Sequence, residues 1–295
     1  MKLGKLFHLT MLVDDLAGPE LFFNSVFSPL CMMRGYSAHW HRHAAIYIIG
    51  ETSIEPMHVL PPEPGQVGTS WYRFMDRHGP RIHNLAFYVD DLDELGRRLT
   101  AAGIRTTDGG GSTLFAHPKD TPGMVEFHTP STPGFASMDP RFSAGWQAFR
   151  DDYWPRRHGL GLRRTSHVTI LVHDVGQATE FYAGVLGGTC LPAQRSRIDG
   201  IGSEFVLLGE DTVLELARPR DDSSSLGREL AAVGQGPIGV TFLVADIDQA
   251  AAHLERAEAA PVAEVSDHDI VLDRSRTWGV EWRFTNEILV DDPRG

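Results

Sequence analysis

Residues 8–27, HLTMLVDDLAGPELFFNSVF, recur further along the chain as residues 167–187, HVTILVHDVGQATEFYAGVLG. Each stretch begins with a histidine, continues through an apolar run that ends in valine, and passes an acidic turn into an aromatic-bearing segment. The offset between the two histidines is 159 residues, and a later pair, Glu55 in SIEPM and Glu215 in VLELA, keeps an offset of 160. A sustained long period indicates a duplicated structural unit. The sequence therefore predicts two similar domains.

Each predicted domain also contains a shorter repeat. In the first half, LTMLVDDLAGPELFF (9–23) and LAFYVDDLDELGRRL (85–99) both give a strand, an acidic turn and a helix. The acidic residues suit helix N-termini, where free N–H groups and the helix dipole favour carboxylates. Short apolar runs follow each helix, and their β-branched and aromatic content favours strands. We therefore predict an α+β fold of four βαβββ units, two in each domain.

The stretch between the repeats differs from both of them. Residues 131–163 open with Pro, Gly and Ser and then carry six aromatic residues, whereas a linker that only spaces two domains is usually polar. We predict an N-terminal domain at residues 1–130, an aromatic linker at 131–163 that packs across both domains, and a C-terminal domain at 164–290. A short helix is expected near Ser143–Arg150.

Composition limits the classes of partner. The balance of 42% hydrophobic and 22% charged residues is that of a soluble globular protein. A net charge of -12 disfavours nucleic acid and anionic membrane surfaces. The two cysteines, Cys31 and Cys190, give no disulfide framework, and no apolar run is long enough to span a membrane. We expect a cytoplasmic protein that acts on a small molecule. The sequence leaves open whether the protein forms a homodimer.

The repeated pattern resembles a known family. Four βαβββ units, with a histidine heading the first strand and a glutamate on the fourth, are similar to the vicinal oxygen chelate superfamily, which includes glyoxalase I, methylmalonyl-CoA epimerase, extradiol dioxygenases and fosfomycin-resistance proteins. Residues 116–127, AHPKDTPGMVEF, also resemble the segment before the last metal-binding glutamate of the epimerases. The resemblance implies that two units curl their mixed sheet into a cup with flanking helices. The cup would hold one divalent ion, which could be Zn, Ni, Co, Mn or Fe(II).

Carried over to this chain, the family's ligand positions become His8, Glu55, His83 and Glu126. Neutral imidazole and carboxylate suit these metals and leave room for two adjacent oxygens of a substrate. A carboxylate between apolar neighbours, as in MVEF (124–127), is costly unless it is paired or metal-bound. By similarity to glyoxalase I, Glu55 or Glu126 would also serve as the catalytic base.

The third ligand position depends on strand register. His8 and His167 each stand five residues before the last valine of their strand, but the residue at that distance from Val89 is Asn84, and His83 is six away. Because alternate strand residues face opposite sides, an unbroken strand would turn Asn84 into the cup. A β-bulge would restore His83, and bulges are frequent beside active sites. We favour His83, with Asn84 as a substrate-binding amide in the alternative.

The second domain departs from the ligand pattern. His167 and Glu215 survive, but the third position holds Ile238 or Gly239, neither of which can bind a metal through its side chain. The fourth position holds either Glu281 or Arg283, depending on register. We therefore predict a degenerate copy that stabilises the chain or shapes a pocket wall.

One histidine-rich segment is not assigned to the metal. In AHWHRH, His39, His41 and His43 occupy alternate positions and could share one face of a strand. We favour a solvent-facing hairpin with Trp40 and Arg42 packed on its opposite side over a second metal site.

Three functions fit these features. The first is a metal-dependent isomerase, epimerase or lyase, in which the ion stabilises the enediolate formed when an α-oxygenated carbonyl compound loses a proton. The second is an extradiol-type dioxygenase with Fe(II) on His8, His83 and Glu126. An aromatic substrate would suit the pocket candidates, which are Trp40, Tyr47, Trp71, Tyr72 and Phe74. The third is a binding protein without catalytic activity, as in the resistance members of the family.

Overall fold

Two eight-stranded mixed sheets organise the chain. The computed structural model describes residues 1–109, 111–130, 138–257 and 259–294. The first sheet has the strand order β2-β3-β4-β1-β5-β8-β7-β6. Its strands are β1 (Leu3–Leu12), β2 (Leu30–Ser37), β3 (Arg42–Ile49), β4 (Thr52–Val59), β5 (Arg81–Val89), β6 (Thr106–Asp108), β7 (Thr113–Ala116) and β8 (Met124–His128).

The second sheet repeats this topology, with the order β10-β11-β12-β9-β13-β16-β15-β14. In both sheets the two central strands are antiparallel, and each pairs in parallel with the fourth strand of its own unit. The predicted α+β fold of four βαβββ units is confirmed. Its strands are β9 (Leu162–Leu171), β10 (Thr189–Cys190), β11 (Ile201–Leu208), β12 (Thr212–Pro219), β13 (Gly236–Val244), β14 (Val262–Val265), β15 (Asp269–Leu272) and β16 (Glu281–Thr285).

Helices pack against the sheets through their buried side chains. The helix of each unit follows its first strand: Ala17–Phe27, Leu92–Ala101, Val175–Thr179 continued by the π-helix Glu180–Val185, and Ile247–Arg256. Further helices are Ser70–His78, Trp146–Asp152, Ser225–Val233, the π-helix Tyr153–Arg157 and the 3-10 turns Pro140–Phe142 and Arg274–Arg276. None of the helices in the described ranges has the length and hydrophobicity needed to cross a bilayer.

The predicted linker is tied to both halves. Its first seven residues, 131–137, lie outside the described residues. The helix expected near Ser143–Arg150 is found at Trp146–Asp152. Trp154 is fully buried in the main core, and its indole Nε1 donates to the carbonyl of Phe27 at 3.0 Å. Strand β9 begins at Leu162, two residues before the predicted start of the C-terminal domain.

A buried arginine holds an irregularity in β1. The register between β1 and β5 shifts at Phe7, the residue before His8, so part of the local backbone does not pair in the ladder. Arg141 donates to the carbonyls of Leu6 at 2.7 Å, Phe7 at 3.0 Å and Glu51 at 2.9 Å. Its guanidinium also pairs with Asp139 at 2.7 Å, and neither side chain is exposed. These bonds satisfy carbonyls that would otherwise be buried without partners.

The same device occurs in the second half. Arg294 donates to the carbonyls of Thr165 at 3.1 Å, Ser166 at 2.6 Å and Asp211 at 2.8 Å, and it pairs with Asp292. The tripeptide Asp-Pro-Arg therefore stands at 139–141 and again at 292–294. The first copy lies in the stretch predicted to differ from both repeats, and the second lies beyond the predicted end of the C-terminal domain at residue 290. The Asp-Pro-Arg motif follows the last strand of each half, so the repeated pattern of strands and helices does not predict it.

Each half also contributes one carboxylate that accepts a hydrogen bond from the backbone of the other half. Glu51 Oε1 accepts a hydrogen bond from the backbone N–H of Thr165 at 2.6 Å, and Asp211 Oδ1 accepts one from the backbone N–H of Leu6 at 3.2 Å. Glu51 lies between β3 and β4 and reaches β9, and Asp211 lies between β11 and β12 and reaches β1. Burial raises the pKa of both carboxyl groups. The reciprocal contacts follow an approximate twofold relation between the halves.

Candidate functional site

A cavity of about 230 Å³ opens on the concave face of the first sheet. We call it the cup. Its polar lining includes six side chains from β1, β3, β4 and β8, together with Ser112 and Thr113. The six are His8, Thr10, Arg42, Glu55, Glu126 and His128. Its apolar wall includes Trp40, Trp71 and Phe115.

Strand pairing explains why these side chains meet. Thr10 of β1 pairs in parallel with Glu55 of β4. His8 lies opposite Ala86 of β5, which pairs in parallel with Glu126 of β8. Because residues paired across strands share a face, His8 and Glu126 point to the same side with only the small Ala86 between them.

Glu55 is buried and has three polar neighbours. Thr10 Oγ1 donates to Glu55 Oε2 at 3.2 Å, and His8 Nε2 lies 3.3 Å from the same oxygen. The other oxygen, Oε1, lies 3.3 Å from Arg42 Nη2, at ion-pair distance but without hydrogen-bond geometry. Arg42 also stacks over the ring of Trp71 at 5.0 Å. Glu55 is therefore charge-compensated, but one of its oxygens accepts no hydrogen bond from the described residues.

Glu126 is held by donors on both oxygens. His128 Nε2 lies 2.6 Å from Oε1, and Asn84 Nδ2 donates to Oε2 at 3.0 Å. His8 Nε2 is 3.8 Å from Oε2. Burial would raise the pKa of Glu126, but the hydrogen bonds and positive charge of His128 and His8 outweigh it and hold the pKa below its usual range. Glu126 is thus an ionised, oriented carboxylate.

His83 does not face the cup. The pairing of β1 with β5 passes from Asn84 directly to Ile82, so His83 is the extra residue of a bulge. The bulge itself was among the expectations, but the His83 ring packs on Phe74 at 4.7 Å and lines a different cavity. Its Nδ1 lies 2.9 Å from Asn84 Oδ1, and burial lowers the pKa of His83. Asn84 occupies the position beside Glu126.

The described side chains do not form the predicted metal centre in this conformation. In the described ranges, no group of three or more His, Cys, Asp or Glu side chains is arranged to hold a metal ion. Arg42 competes for Glu55, and the buried Nδ1 of His8 has no hydrogen-bond partner among the described residues, whereas a ligating imidazole is normally oriented by such a bond. The ligand set His8, Glu55, His83 and Glu126 stays a prediction, and it requires Arg42 and His83 to move.

The second sheet carries a partial copy of the site. His167 Nε2 lies 3.5 Å from Glu215 Oε2, and Thr169 Oγ1 donates to that oxygen at 2.8 Å. Burial raises the pKa of Glu215, but hydrogen bonding and positive charge from His167 contribute to a net lowering to about 2. Thr241, the partner of His167, pairs with Arg283, so a cation takes the place of Glu126. Register thus settles the fourth position in favour of Arg283.

Three polar residues of the cup were absent from the predicted site. Thr10 and His128 stand two residues after His8 and Glu126, and strand alternation alone would have placed them on the same face. Arg42 was expected to pack behind the histidine run and to be available to an anion. Its contact with Glu55 joins β3 to β4, and no local sequence pattern reveals this contact.

The predicted aromatic pocket residues separate into two groups. Trp40 and Trp71 line the cup with their ring centroids 5.2 Å apart. Tyr47 instead packs on Phe23 in the core at 5.3 Å, and Phe74 lies beside His83. In the histidine run, His39 is exposed in the turn between β2 and β3, His41 is half-buried in the same turn, and His43 is exposed at the start of β3.

Comparison with known proteins gives one family match. The model of the Glyoxalase/Bleomycin resistance protein/Dioxygenase superfamily matches residues 166–270, which lie within the second half of the chain. No curated protein matches the sequence significantly.

Solved structures share the fold over most of the chain. A triple mutant of 4-hydroxymandelate synthase from Streptomyces coelicolor is 14% identical and matches over 96% of this chain and 92% of its own, with a TM-score of 0.67. A xylose isomerase-like TIM barrel/4-hydroxyphenylpyruvate dioxygenase fusion protein is 13% identical over 96% of this chain and 48% of its own, with a TM-score of 0.62. A hypothetical protein from Staphylococcus aureus is 12% identical, with coverages of 96% and 99% and a TM-score of 0.57.

Sequence identities of 14%, 13% and 12% show a shared fold, but they assign no activity to this chain. The family match in the second half and the repetition of that topology in the first agree with the resemblance found in the sequence. The second half of the chain matches the model of the Glyoxalase/Bleomycin resistance protein/Dioxygenase superfamily, and the first half repeats its strand order.

Proposed function

We propose that the chain is an enzyme that moves a proton on a small α-oxygenated carbonyl compound held in the cup, in the manner of glyoxalase-like isomerases and lyases. The observation that carries this proposal is the meeting of two buried carboxylates, Glu55 and Glu126, on the single imidazole of His8. Acid–base groups at close range in a concave site are the usual basis of proton-transfer catalysis.

The two carboxylates suit different roles. Glu126 is a weak base because its donors stabilise the anion, so its role is to hold the imidazoles of His8 and His128 in place. Glu55 Oε1 accepts no hydrogen bond from the described residues and is the better candidate to remove the α-proton. His8, between them, can return that proton to a neighbouring carbon or oxygen.

Arg42 points to an anionic substrate. Its guanidinium lies in the cup against Glu55, and a substrate carboxylate could replace that partner through paired N–H donors. The exchange would uncover Glu55 Oε1 when substrate binds. The cup volume of about 230 Å³ limits the substrate to a compact molecule, and the indoles of Trp40 and Trp71 help to exclude water around it.

Solvent exchange tests the proposal directly. In D₂O, the enzyme is expected to remove the α-proton signal of at least one member of a panel of small 2-hydroxy and 2-oxo acids, followed by proton NMR. The matched amide of the same compound should exchange more slowly, because it lacks the charge that Arg42 would bind. If none of the tested acids and thioesters exchanged its α-proton with D₂O, the proposed reaction would be refuted.

An oxidative alternative has one supporting observation. The fold neighbours whose names include a synthase and a dioxygenase match over 96% of this chain. Such chemistry would need two histidines and a carboxylate on an iron ion, and His83 is turned away from the cup. Oxygen consumption with iron-loaded protein and catechols, without deuterium exchange, would favour this alternative.

Metal affinity is expected to depend on Arg42. Replacing Arg42 with glutamine removes a cation 3.3 Å from Glu55, so Co²⁺ should bind roughly tenfold more tightly than to the unmodified protein. The change can be followed by visible absorption during titration. Arg34→Gln, which removes an exposed partner of Glu20, is the matched control and should leave Co²⁺ binding unchanged. Equal Co²⁺ affinities in all three proteins would count against a metal centre at Glu55.

A further inference from the structure

A second cavity, of about 390 Å³, lies between the two halves of the chain. The helix Ser70–His78 and the start of β5 form one wall, and Pro118, Lys119 and Met124 line another. The helix Ser225–Val233 and residues 234–238 close the third side. This interdomain cavity shares no lining residue with the cup, and its volume is within the range of small-molecule sites.

Its walls are held in place by contacts between the halves. Tyr182 Oη donates to the carbonyl of Pro122 at 2.9 Å. A side chain at Gly123 would meet the backbone of Gly236 at 3.1 Å, so the two backbones touch at this rim. A preformed cavity needs little ordering when a ligand enters, and this favours binding.

His83 presents a hydrogen-bond acceptor to this cavity. Asn84 donates through Nδ2 to Glu126, so its Oδ1 accepts from His83 Nδ1 at 2.9 Å. A neutral imidazole that is protonated at Nδ1 has a lone pair at Nε2. The His83 residue is only 8% exposed, and in the described part of the chain no group hydrogen-bonds its Nε2. Such an acceptor on a cavity wall can receive a hydrogen bond from a donor on a ligand.

Two cations, Arg81 and Lys119, and one carboxylate, Glu229, line the same cavity. Glu229 pairs with Arg81 at 3.5 Å and also with Arg274, which lies outside the lining, at 3.1 Å. The Nε of Arg81 is buried without a hydrogen-bond partner among the described residues. Lys119 lines the cavity as well, and no ion pair of Lys119 is found within the described ranges. A local excess of cations in a chain with a net charge of -12 indicates a site for an anion.

The remaining lining is largely apolar, with Phe74, Ile82, Leu171 and Ile238 among its members. We propose that the interdomain cavity binds a small organic carboxylate whose apolar body carries a hydrogen-bond donor. The carboxylate pairs with Arg81 and Lys119, and the donor bonds to His83 Nε2. The ligand thereby joins the hydrogen-bond chain from His83 through Asn84 to Glu126, which links this cavity to the cup. The binding site does not depend on the reaction proposed for the cup.

Titration with 4-hydroxybenzoate, which has an apolar ring between a carboxylate and a hydroxyl, tests the site in the full chain. We expect saturable binding with a Kd of about 1 mM or tighter, measured by calorimetry and by the shift of the Asn84 side-chain amide in NMR spectra. Benzoate lacks the donor and 4-hydroxybenzamide lacks the charge, so each should bind at least about fivefold more weakly. No saturation by about 10 mM, or equal binding of all three compounds, would overturn the proposal.

Variants then locate the binding. Lys119→Gln, at an exposed position where folding is not at risk, should weaken binding severalfold, and Ile238→Trp should abolish it by filling the cavity. Arg42→Gln changes the cup and should leave binding of 4-hydroxybenzoate unchanged. Loss of binding in Arg42→Gln with full binding in Lys119→Gln would place the ligand in the cup and refute the interdomain site. Calorimetry and NMR measure binding and do not require a reaction. The binding result therefore holds even if the reaction proposed for the cup is not observed.

Discussion

Replacing Glu55 with glutamine is expected to lower kcat/KM by about a thousandfold, since a positioned general base typically contributes factors of 10²–10⁴. The amide keeps the size of the side chain and can still contact Thr10, but it cannot accept the α-proton. It also removes the ion pair with Arg42, which is then free to bind a substrate carboxylate. We therefore expect the loss mainly in kcat, with KM unchanged or lower. Progress curves with the substrate identified by deuterium exchange measure both.

The duplicated fold supplies a matched control for this substitution. Glu215 stands at the same place in the second sheet, is fully buried, and has the same threonine and histidine partners. Glu215→Gln removes an equally buried carboxylate and should destabilise the chain to a similar extent while leaving kcat/KM close to that of the unmodified protein. Equal losses of activity in the two variants would mean that Glu55 acts through stability and has no role as a base.

The fold could be predicted from the sequence because each repeated unit is marked by patterns among residues that are close together in the chain. The apolar runs that follow His8 and His167 specify strands, and acidic residues mark the helices that follow them. Asp91 and Asp246, for example, each accept a hydrogen bond from the backbone N–H three residues ahead and so cap their helices. Signals of this kind need only neighbours in sequence, and four similar units reinforce one another.

The site was predicted less completely because its contacts cross the sheet. The resemblance to a known family placed His8, Glu55 and Glu126 in one site, and their side chains lie close together in the structure. The bulge at His83 was foreseen, but the direction of its ring depends on Phe74 in a separate helix and on the second half of the chain. Arg42 is separated from Glu55 by a hairpin, and a residue's own strand cannot show which cation will reach a buried carboxylate.

Replacing Arg141 with glutamine is expected to lower the free energy of unfolding by about 3–5 kcal/mol, since breaking a buried ion pair leaves an uncompensated charge. Asp139 would lose its partner in a fully buried position, and the carbonyls of Leu6 and Phe7 would lose their donors. Urea denaturation followed by circular dichroism measures the change. Arg97→Gln removes only an exposed pair with Glu94 and should leave the denaturation midpoint where it is.

The repeated motif allows stability to be separated from the geometry of the cup. Arg141 supports the backbone immediately before His8, whereas Arg294 supports the backbone immediately before His167 in the copy whose fourth position is Arg283. Both substitutions to glutamine should destabilise the chain, but only Arg141→Gln should also shift the imidazole ¹⁵N resonances of His8 and reduce deuterium exchange under conditions where the protein remains folded. If Arg294→Gln perturbed His8 and the exchange rate as strongly as Arg141→Gln, the motif would act only on global stability. An Arg141→Lys variant, which keeps the charge but cannot reach three carbonyls from one planar group, should recover part of the stability and little of the His8 signal.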